Sequence, residues 1–259
     1  MLTVISPAKS LDLDPVEVAP TEPAFQADAI RLAKTARGLT LRGLQDLMDI
    51  SPDLARLNRD RFRAFSDEPA ADVVKPAIFA FNGDTYQGFE AKTLSEDDIS
   101  YAQGHLRILS GLYGLLRPLD GIQPYRLEMG SRLRTRRGAS LYAYWGPQIS
   151  KALNDQAKEI GTDILVNCAS QEYFAAADTK ALKLRVVTPQ FMEVKAGKPR
   201  IVSFFAKRAR GAMARFVVEN RVTSADQLRE FSAGGYQFDP DLSEGDRLVF
   251  CRDYPEPVT

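Results

Sequence analysis

Along the first third of the chain, unbroken apolar runs give way to apolar residues at helical spacing. Leu2-Thr-Val-Ile5 predicts a short buried strand that ends in the loop Ser6-Pro-Ala-Lys9. An acidic, proline-containing segment to Pro23 reads as a loop. Two helices follow, Phe25 to Arg37 closed by Gly38, and Thr40 to Met48. Ser51-Pro52 supplies an N-cap with proline at the first helical position, opening a helix to about Phe65. Asp67 to Lys75 is polar and reads as a loop. Pro76 to Phe81 reads as a strand, and Asn82-Gly-Asp-Thr-Tyr86 as a turn into a short helix with Asp84 as its N-cap. Ser95-Glu-Asp-Asp98 matches a capping box with acids in the first turn, and its helix reaches toward Arg107.

Arg107 to Arg126 is apolar between its charged ends and carries Gly111 and Gly114, with Pro118 and Pro124 limiting any further helix. Two readings fit. Glycines flanked by arginines can expose backbone N–H groups to a phosphate backbone. A buried turn with a solvated basic neighbour fits equally well. Farther on, Pro147 to Ile160 predicts a helix with Ile149, Leu153, Ala157 and Ile160 on one face, and Asp163 to Cys168 a second buried strand. That strand delivers Ala169-Ser-Gln-Glu-Tyr-Phe174 at its C-terminal end, where open α/β sheets place functional loops. Leu184 to Phe191 and Pro199 to Phe205 predict a hairpin turning through Lys195-Ala-Gly-Lys198. On the helix from Ala206 to Asn220, Ala209, Met213, Phe216, Val217 and Asn220 share one arc, and Lys207, Arg208, Arg210 and Arg215 the opposite one. A last strand is expected from Arg247 to Cys251. No repeat, low-complexity run or linker divides the chain, so a single domain over 1–259 of mixed α and β (α/β) is expected, with a mixed sheet and surrounding helices.

Charge changes this picture by its distribution. The 259 residues carry 34 basic and 34 acidic side chains, so an anion-binding surface requires segregation. Residues 105 to 137 hold seven Arg against Asp120 and Glu128, a balance of +5. Lys195 to Arg221 holds eight bases against Glu219, and Leu11 to Ile30 holds five acids and no base. Two such basic clusters in a neutral chain point to polyanion binding. Cys168 and Cys251 form no CxxC and suit a reducing cytoplasm. No cleavable signal or long apolar span is present, so neither export nor membrane insertion is expected. His105 is the sole histidine, which removes most histidine-dependent hydrolytic and metal chemistry, and neither a metal site nor a cofactor is expected.

No catalytic constellation is identified. Lys9, at a strand end, could grip phosphate or, if desolvated, act as nucleophile or base. Tyr142, Tyr144 and Trp145 could stack on bases or belong to the core.

With these residues laid out, the chain resembles the YaaA family of peroxide-stress-response proteins over Met1 to about Tyr254. The resemblance rests on Ile5-Ser-Pro-Ala-Lys9, Phe81 to Gly88, Ser95 to Asp98, Leu109 to Gly114, Arg117 to Asp120, Gln123 to Gly130, Tyr173-Phe174, Ser203 to Lys207 and Ala209-Arg-Gly211. It implies a cytoplasmic protein of the hydrogen peroxide response that limits iron-linked DNA damage. It also implies a positively charged cleft and a helix-hairpin-helix element that binds double-stranded and branched DNA. That element maps onto about Ser95 to Asp120, although its glycines are three apart instead of two, and Gln171 stands where an acid is expected. The expected DNA-binding residues are Lys9, Arg107, Gly111, Gly114, Arg117, Arg126, Arg132, Arg134, Arg136, Arg137, Lys207, Arg208, Arg210 and Arg215. The alternative is an enzyme acting on a small anionic or nucleotide substrate with Lys9, Asp84, Tyr86 or Glu172 in the same cleft.

Overall fold

The computed structural model describes residues Met1 to Pro255. These residues form an eight-stranded mixed sheet. In chain order its strands are β1 (Leu2–Ile5), β2 (Leu106–Ser110), β3 (Gly114–Leu116), β4 (Ile164–Cys168), β5 (Arg185–Lys195), β6 (Lys198–Arg200), β7 (Gln237–Glu244) and β8 (Arg247–Asp253). The spatial order is β7-β8-β5-β4-β1-β2-β3, with β6 also paired to β5. Strands β8, β5, β4, β1 and β2 are mutually parallel, while β3, β6 and β7 join antiparallel at their margins. Every residue of β1 and β2 is buried, as expected for parallel strands covered on both faces.

The helices longer than four residues are α1 (Gln26–Arg37), α2 (Leu41–Met48), α3 (Pro52–Ala64), α4 (Asp84–Phe89), α5 (Glu96–His105), α6 (Leu141–Trp145), α7 (Gln148–Glu159) and α8 (Ser203–Glu219), with single turns at Ala77–Ala80 and Gln171–Phe174. Three start where capping chemistry predicts: Thr40, Ser51 and Ser95 accept backbone N–H bonds three residues on. Helix α8 packs on β1, β4 and β5 and crosses α4 at backbone contact. A Cβ on Gly211 would lie 1.8 Å from the Thr85 carbonyl oxygen, and one on Gly88 1.9 Å from that of Arg208. Only glycine at both positions lets these two helices touch so closely.

Several expectations fail for identifiable reasons. Pro76 to Phe81 is not a strand. Ala77–Ala80 makes one helical turn, with the Ala77 and Ile78 amides bonded to the carbonyls of Asp120 and Pro118. Gly83, not Asp84, holds the N-cap position of α4. The second arm of the hairpin at 184–205 ends at Arg200, and α8 begins at Ser203. Ile160 falls just past α7 as its C-cap, and β7 was absent from the apolar pattern because its residues are largely exposed.

The helix-hairpin-helix element is the main correction. Helix α5 is present, but β2 follows it, then a tight turn through Gly111 and β3. The spacing of Ile108, Leu109, Leu112, Leu115 and Leu116 mimics a helix because strands buried on both faces need no alternation.

Candidate functional site

The parallel block reverses its order of addition around β1, with β2 on one side and β4 on the other. Ligand crevices in open α/β sheets open at the carboxyl ends of strands at such a point. A cleft of about 380 Å³ lies there, lined by the loop after β1, the loop after β4, the start of α4 and one side of α8. The β1 loop is held by the Ser170 amide donating to Ser6 Oγ at 2.8 Å and by Tyr86 Oη donating to the Ser6 carbonyl at 3.1 Å. A two-residue antiparallel pairing of Ser10 and Leu11 with Asn82 and Phe81 brings the α4 turn beside Lys9. Asp12 anchors the far end of that loop through Lys92 at 2.9 Å and Lys75 at 3.0 Å. These two ammonium groups hold its carboxyl well below the usual carboxylate range.

Lys9, Asp84, Tyr86 and Glu172, widely separated in sequence, all line this one cleft together with Lys207 and Arg210. Their chemistry is uneven. Lys9 is 68% exposed and pairs with Glu128 at 3.3 Å, the opposite of a desolvated nucleophile. Burial, with Tyr125 and Tyr173 nearby, pushes the Tyr86 hydroxyl well above its ordinary pKa. It therefore stays protonated and cannot serve as a base at neutral pH. Glu172 accepts the Gly130 amide at 2.9 Å, whereas Asp84 bonds no described residue through its carboxylate. Asp84, Glu128 and Glu172 do not gather into a metal-ligating group. Glu128 was missed by sequence reasoning. It binds both Lys9 and Arg126, and its Oε2 is buried without a hydrogen-bond partner. Its standing as one of two acids among the seven arginines of 105–137 was the available signal.

Cys168 closes the floor of the cleft, and burial pushes its thiol pKa up to about 12 despite the nearby Arg210 guanidinium. His105 lies elsewhere, stacked on Tyr101 at 3.8 Å within α5.

Apart from Lys9, whose pair with Glu128 is exposed, the other thirteen expected DNA contacts separate into two groups. Arg107 is buried on β2, donating to the carbonyls of Gln103 and Leu106 and to Gln156 Oε1. Arg117 binds Asp120 and the Glu22 carbonyl, Arg126 binds Glu128, and Arg137 binds Asp28 while lying over the Tyr144 ring. Arg215 donates to the Phe89 and Glu90 carbonyls and to Thr93, and pairs with Glu219. Gly111 and Gly114 are buried. A Cβ on Gly111 would strike the Leu127 carbonyl oxygen at 2.2 Å. Gly114, at φ +68°, faces the Trp145 ring. Neither offers its backbone to a phosphate, so the stretch is a buried turn, but its basic neighbours Arg107, Arg117 and Arg126 are bound internally instead of solvated. Trp145 and Tyr144 are likewise core, with the Trp145 indole donating to the Gly111 carbonyl at 3.1 Å.

The second group is different. The side chains of Arg132, Arg134, Arg136, Lys207, Arg208 and Arg210 make no hydrogen bond or ion pair with any described residue. Lys207 and Arg210 line the cleft. Arg132 and Arg134 line a separate surface cavity beside α2, joined to the cleft through Gly130, whose amide donates to Glu172, and Arg208 lines the cavities on the α4 side of α8. The ridge expected on α8 is thus divided, because α4 covers the side that carries Arg215. Among the described residues, no helix is long and apolar enough to cross a membrane.

The chain is similar to known proteins over most of its length. The family model for peroxide stress protein YaaA matches residues 1–242. A UPF0246 protein of Ruegeria pomeroyi is 68% identical over 254 residues, covering 98% of this chain and 99% of its own. UPF0246 proteins of Roseobacter denitrificans (98% and 99% covered) and Dinoroseobacter shibae (99% and 96%) are 64% and 56% identical over 257 residues. Of the blocks that carry the resemblance, Ile5–Lys9, Phe81–Gly88, Gln123–Gly130, Tyr173-Phe174, Ser203–Lys207 and Ala209–Gly211 contribute residues to the cleft or to the α4–α8 crossing, whereas those at 95–98, 109–114 and 117–120 lie elsewhere. The chain belongs to the YaaA (UPF0246) family of peroxide stress proteins.

Proposed function

We propose that this protein serves the peroxide stress response by binding DNA without sequence preference at the mouth of the cleft, and so limits iron-linked oxidative damage to DNA. The observation that carries this reading is the set of six cations, Arg132, Arg134, Arg136, Lys207, Arg208 and Arg210, left without internal partners in a chain of zero net charge. Unpaired arginine and lysine side chains on one surface are the ordinary means of holding a phosphate backbone, and they read no base edge. The interface would be built from Lys207 and Arg210 at the cleft and extended by the other four cations, without a helix-hairpin-helix. Glu128, Glu172 and Asp84 inside the cleft oppose deep entry of a duplex, so the backbone would run across its mouth.

A gel-shift titration on duplex and four-way-junction DNA at two salt concentrations tests this. If about six phosphates are neutralised, the logarithm of affinity falls with the logarithm of salt at a slope near −5. Absence of any shift at low salt ends this reading. The enzymatic reading has one supporting observation, the convergence of Lys9, Asp84, Tyr86 and Glu172 in a single cleft. Turnover of a small anionic substrate that is lost in Asp84→Asn would establish it.

A further inference from the structure

Strand β5 is longer than the neighbours on one of its edges. Its pairing with β4 ends at Val166 and Val187, and its pairing with β6 begins only at Glu193 and Arg200. On the opposite edge it is paired to β8 throughout Thr188 to Val194. The stretch Thr188 to Met192 therefore has one edge with no strand neighbour among the described residues. An open edge offers backbone N–H and C=O groups to whatever lies beside it, and Pro189 removes one donor that would otherwise need a partner.

A cavity of about 780 Å³ occupies this notch, well within the size range of small-molecule sites. Asn167, at the end of β4, is only 8% exposed and lines it. Its Oδ1 accepts the Ala169 amide at 3.1 Å, while its Nδ2 donates to no described residue. Gln171, Thr188 and Gln190 also face the cavity with side chains that bond no described residue. Phe174 and Ala169 give apolar wall. Arg210 stands in the lining of both this cavity and the 380 Å³ cleft. Its guanidinium has no carboxylate partner, and burial holds its pKa below the ordinary arginine value. The acid on the lining, Asp178, already accepts the Lys180 amide at 2.9 Å.

An unpaired cation, carboxamide groups with free donors and acceptors, an open strand edge and apolar wall in one cavity define one kind of ligand. It carries an anionic group, a planar body, and an edge that both donates and accepts hydrogen bonds. We propose that this cavity binds a single nucleotide unit, its phosphate on Arg210 and its base against Asn167, Gln190 and the open edge of β5. An inorganic anion would leave the carboxamides unpaired, and a nucleoside would leave Arg210 unpaired. The nucleotide is either free or a residue extruded from a DNA strand lying on the neighbouring cationic rim. The second source rests on the DNA-binding reading above and the first does not.

The test is calorimetric titration of the full chain with the adenine, guanine, cytosine and thymine nucleoside monophosphates, with adenosine and inorganic phosphate as controls. In parallel, 2-aminopurine fluorescence is followed in duplex and junction DNA. A free ligand is shown by one monophosphate binding at least tenfold tighter than both controls, with at least a tenfold loss in Gln190→Leu. Arg210→Gln then removes the preference for monophosphate over nucleoside. An extruded nucleotide is shown by a rise in 2-aminopurine fluorescence that Gln190→Leu abolishes while the gel shift persists. If no monophosphate surpasses inorganic phosphate and no 2-aminopurine signal depends on Gln190, the proposal is overturned, whether or not DNA is shifted. Thr188→Val replaces Gln190→Leu if the latter fails to fold, as judged by its thermal transition.

Discussion

Two arginine-rich regions that look alike in sequence behave in opposite ways. Around Arg107 to Arg126, guanidinium groups are consumed internally: Arg107 by carbonyls under α5, Arg117 by Asp120 and Glu22, Arg126 by Glu128. By contrast, Arg132, Arg134 and Arg136 and the α8 group Lys207, Arg208 and Arg210 are unpaired among the described residues, and two of them, Lys207 and Arg210, line the cleft. The acidic segment at 11–30 accounts for part of the difference. Asp28 takes Arg137 at 2.8 Å, and the Glu22 carbonyl takes Arg117 at 2.9 Å. Charge counted along the chain therefore overstates the available positive surface. What matters is which cations the fold leaves without partners.

The sharpest way to break the comparison is to remove the crossing that builds the cleft. Gly211→Val drives a side chain into the Thr85 carbonyl, backbone against backbone, and should cost about 3 kcal/mol or more, or prevent folding. Urea denaturation measures it, and a loss under 1 kcal/mol would mean that the helices do not touch as described. Arg107→Ala comes next. Buried carbonyls and Gln156 lose their donor, at a cost of about 2–4 kcal/mol, while DNA affinity of the folded protein stays within twofold. A specific loss of DNA binding there would restore Arg107 as a contact.

The converse variant, Lys207→Gln/Arg208→Gln/Arg210→Gln, should weaken DNA binding at least tenfold, which is about 1.4 kcal/mol. It should also reduce the salt slope by about 3, with Tm within about 2 °C of wild type. Retained affinity would dismiss this side of the rim. Cys168 gives a pH test on the cleft floor. Its thiol stays protonated in the folded chain up to about pH 12, whereas an unfolded thiol ionises near pH 8.5. The unfolded state then binds fewer protons, so this group makes stability fall as pH rises from about 9 toward 12. A Cys168→Ser variant should show a shallower decline over that window, and iodoacetamide should leave native Cys168 unlabelled at pH 7.5. Rapid native labelling would contradict the burial. The smallest effect is expected at Lys9→Gln, whose exposed pair with Glu128 contributes about 0–1 kcal/mol to stability.

Much of the scaffold was legible locally. Thr40, Ser51 and Ser95 each cap the helix they announce, because an N-cap depends on groups only two or three residues away. Leu2–Ile5 and Ile164–Cys168 are strands where apolar runs are too short for helices. The helix-hairpin-helix mapped onto Ser95 to Asp120 from the resemblance had no such local check, since the apolar residues of Leu106–Ser110 and Gly114–Leu116, buried on both faces, carry no strand period. The placement of Ser170, Glu172 and Tyr173 at the cleft was also readable from a strand followed by a short polar turn. Glu128 was not, for its role depends on Lys9, 119 positions away.

The sequence by itself determined the capped helices, the buried central strands, the family and the existence of charge segregation, because each follows from neighbours along the chain or from ordered blocks of residues. Only the tertiary structure decided that Gly111 and Gly114 serve packing, that five arginines are bound internally, and that Lys9, Asp84, Tyr86, Glu172, Lys207 and Arg210 share one cleft. Those outcomes depend on contacts between segments far apart in sequence, where parallel strand order and one glycine-mediated helix crossing determine which charges meet a partner and which face solvent.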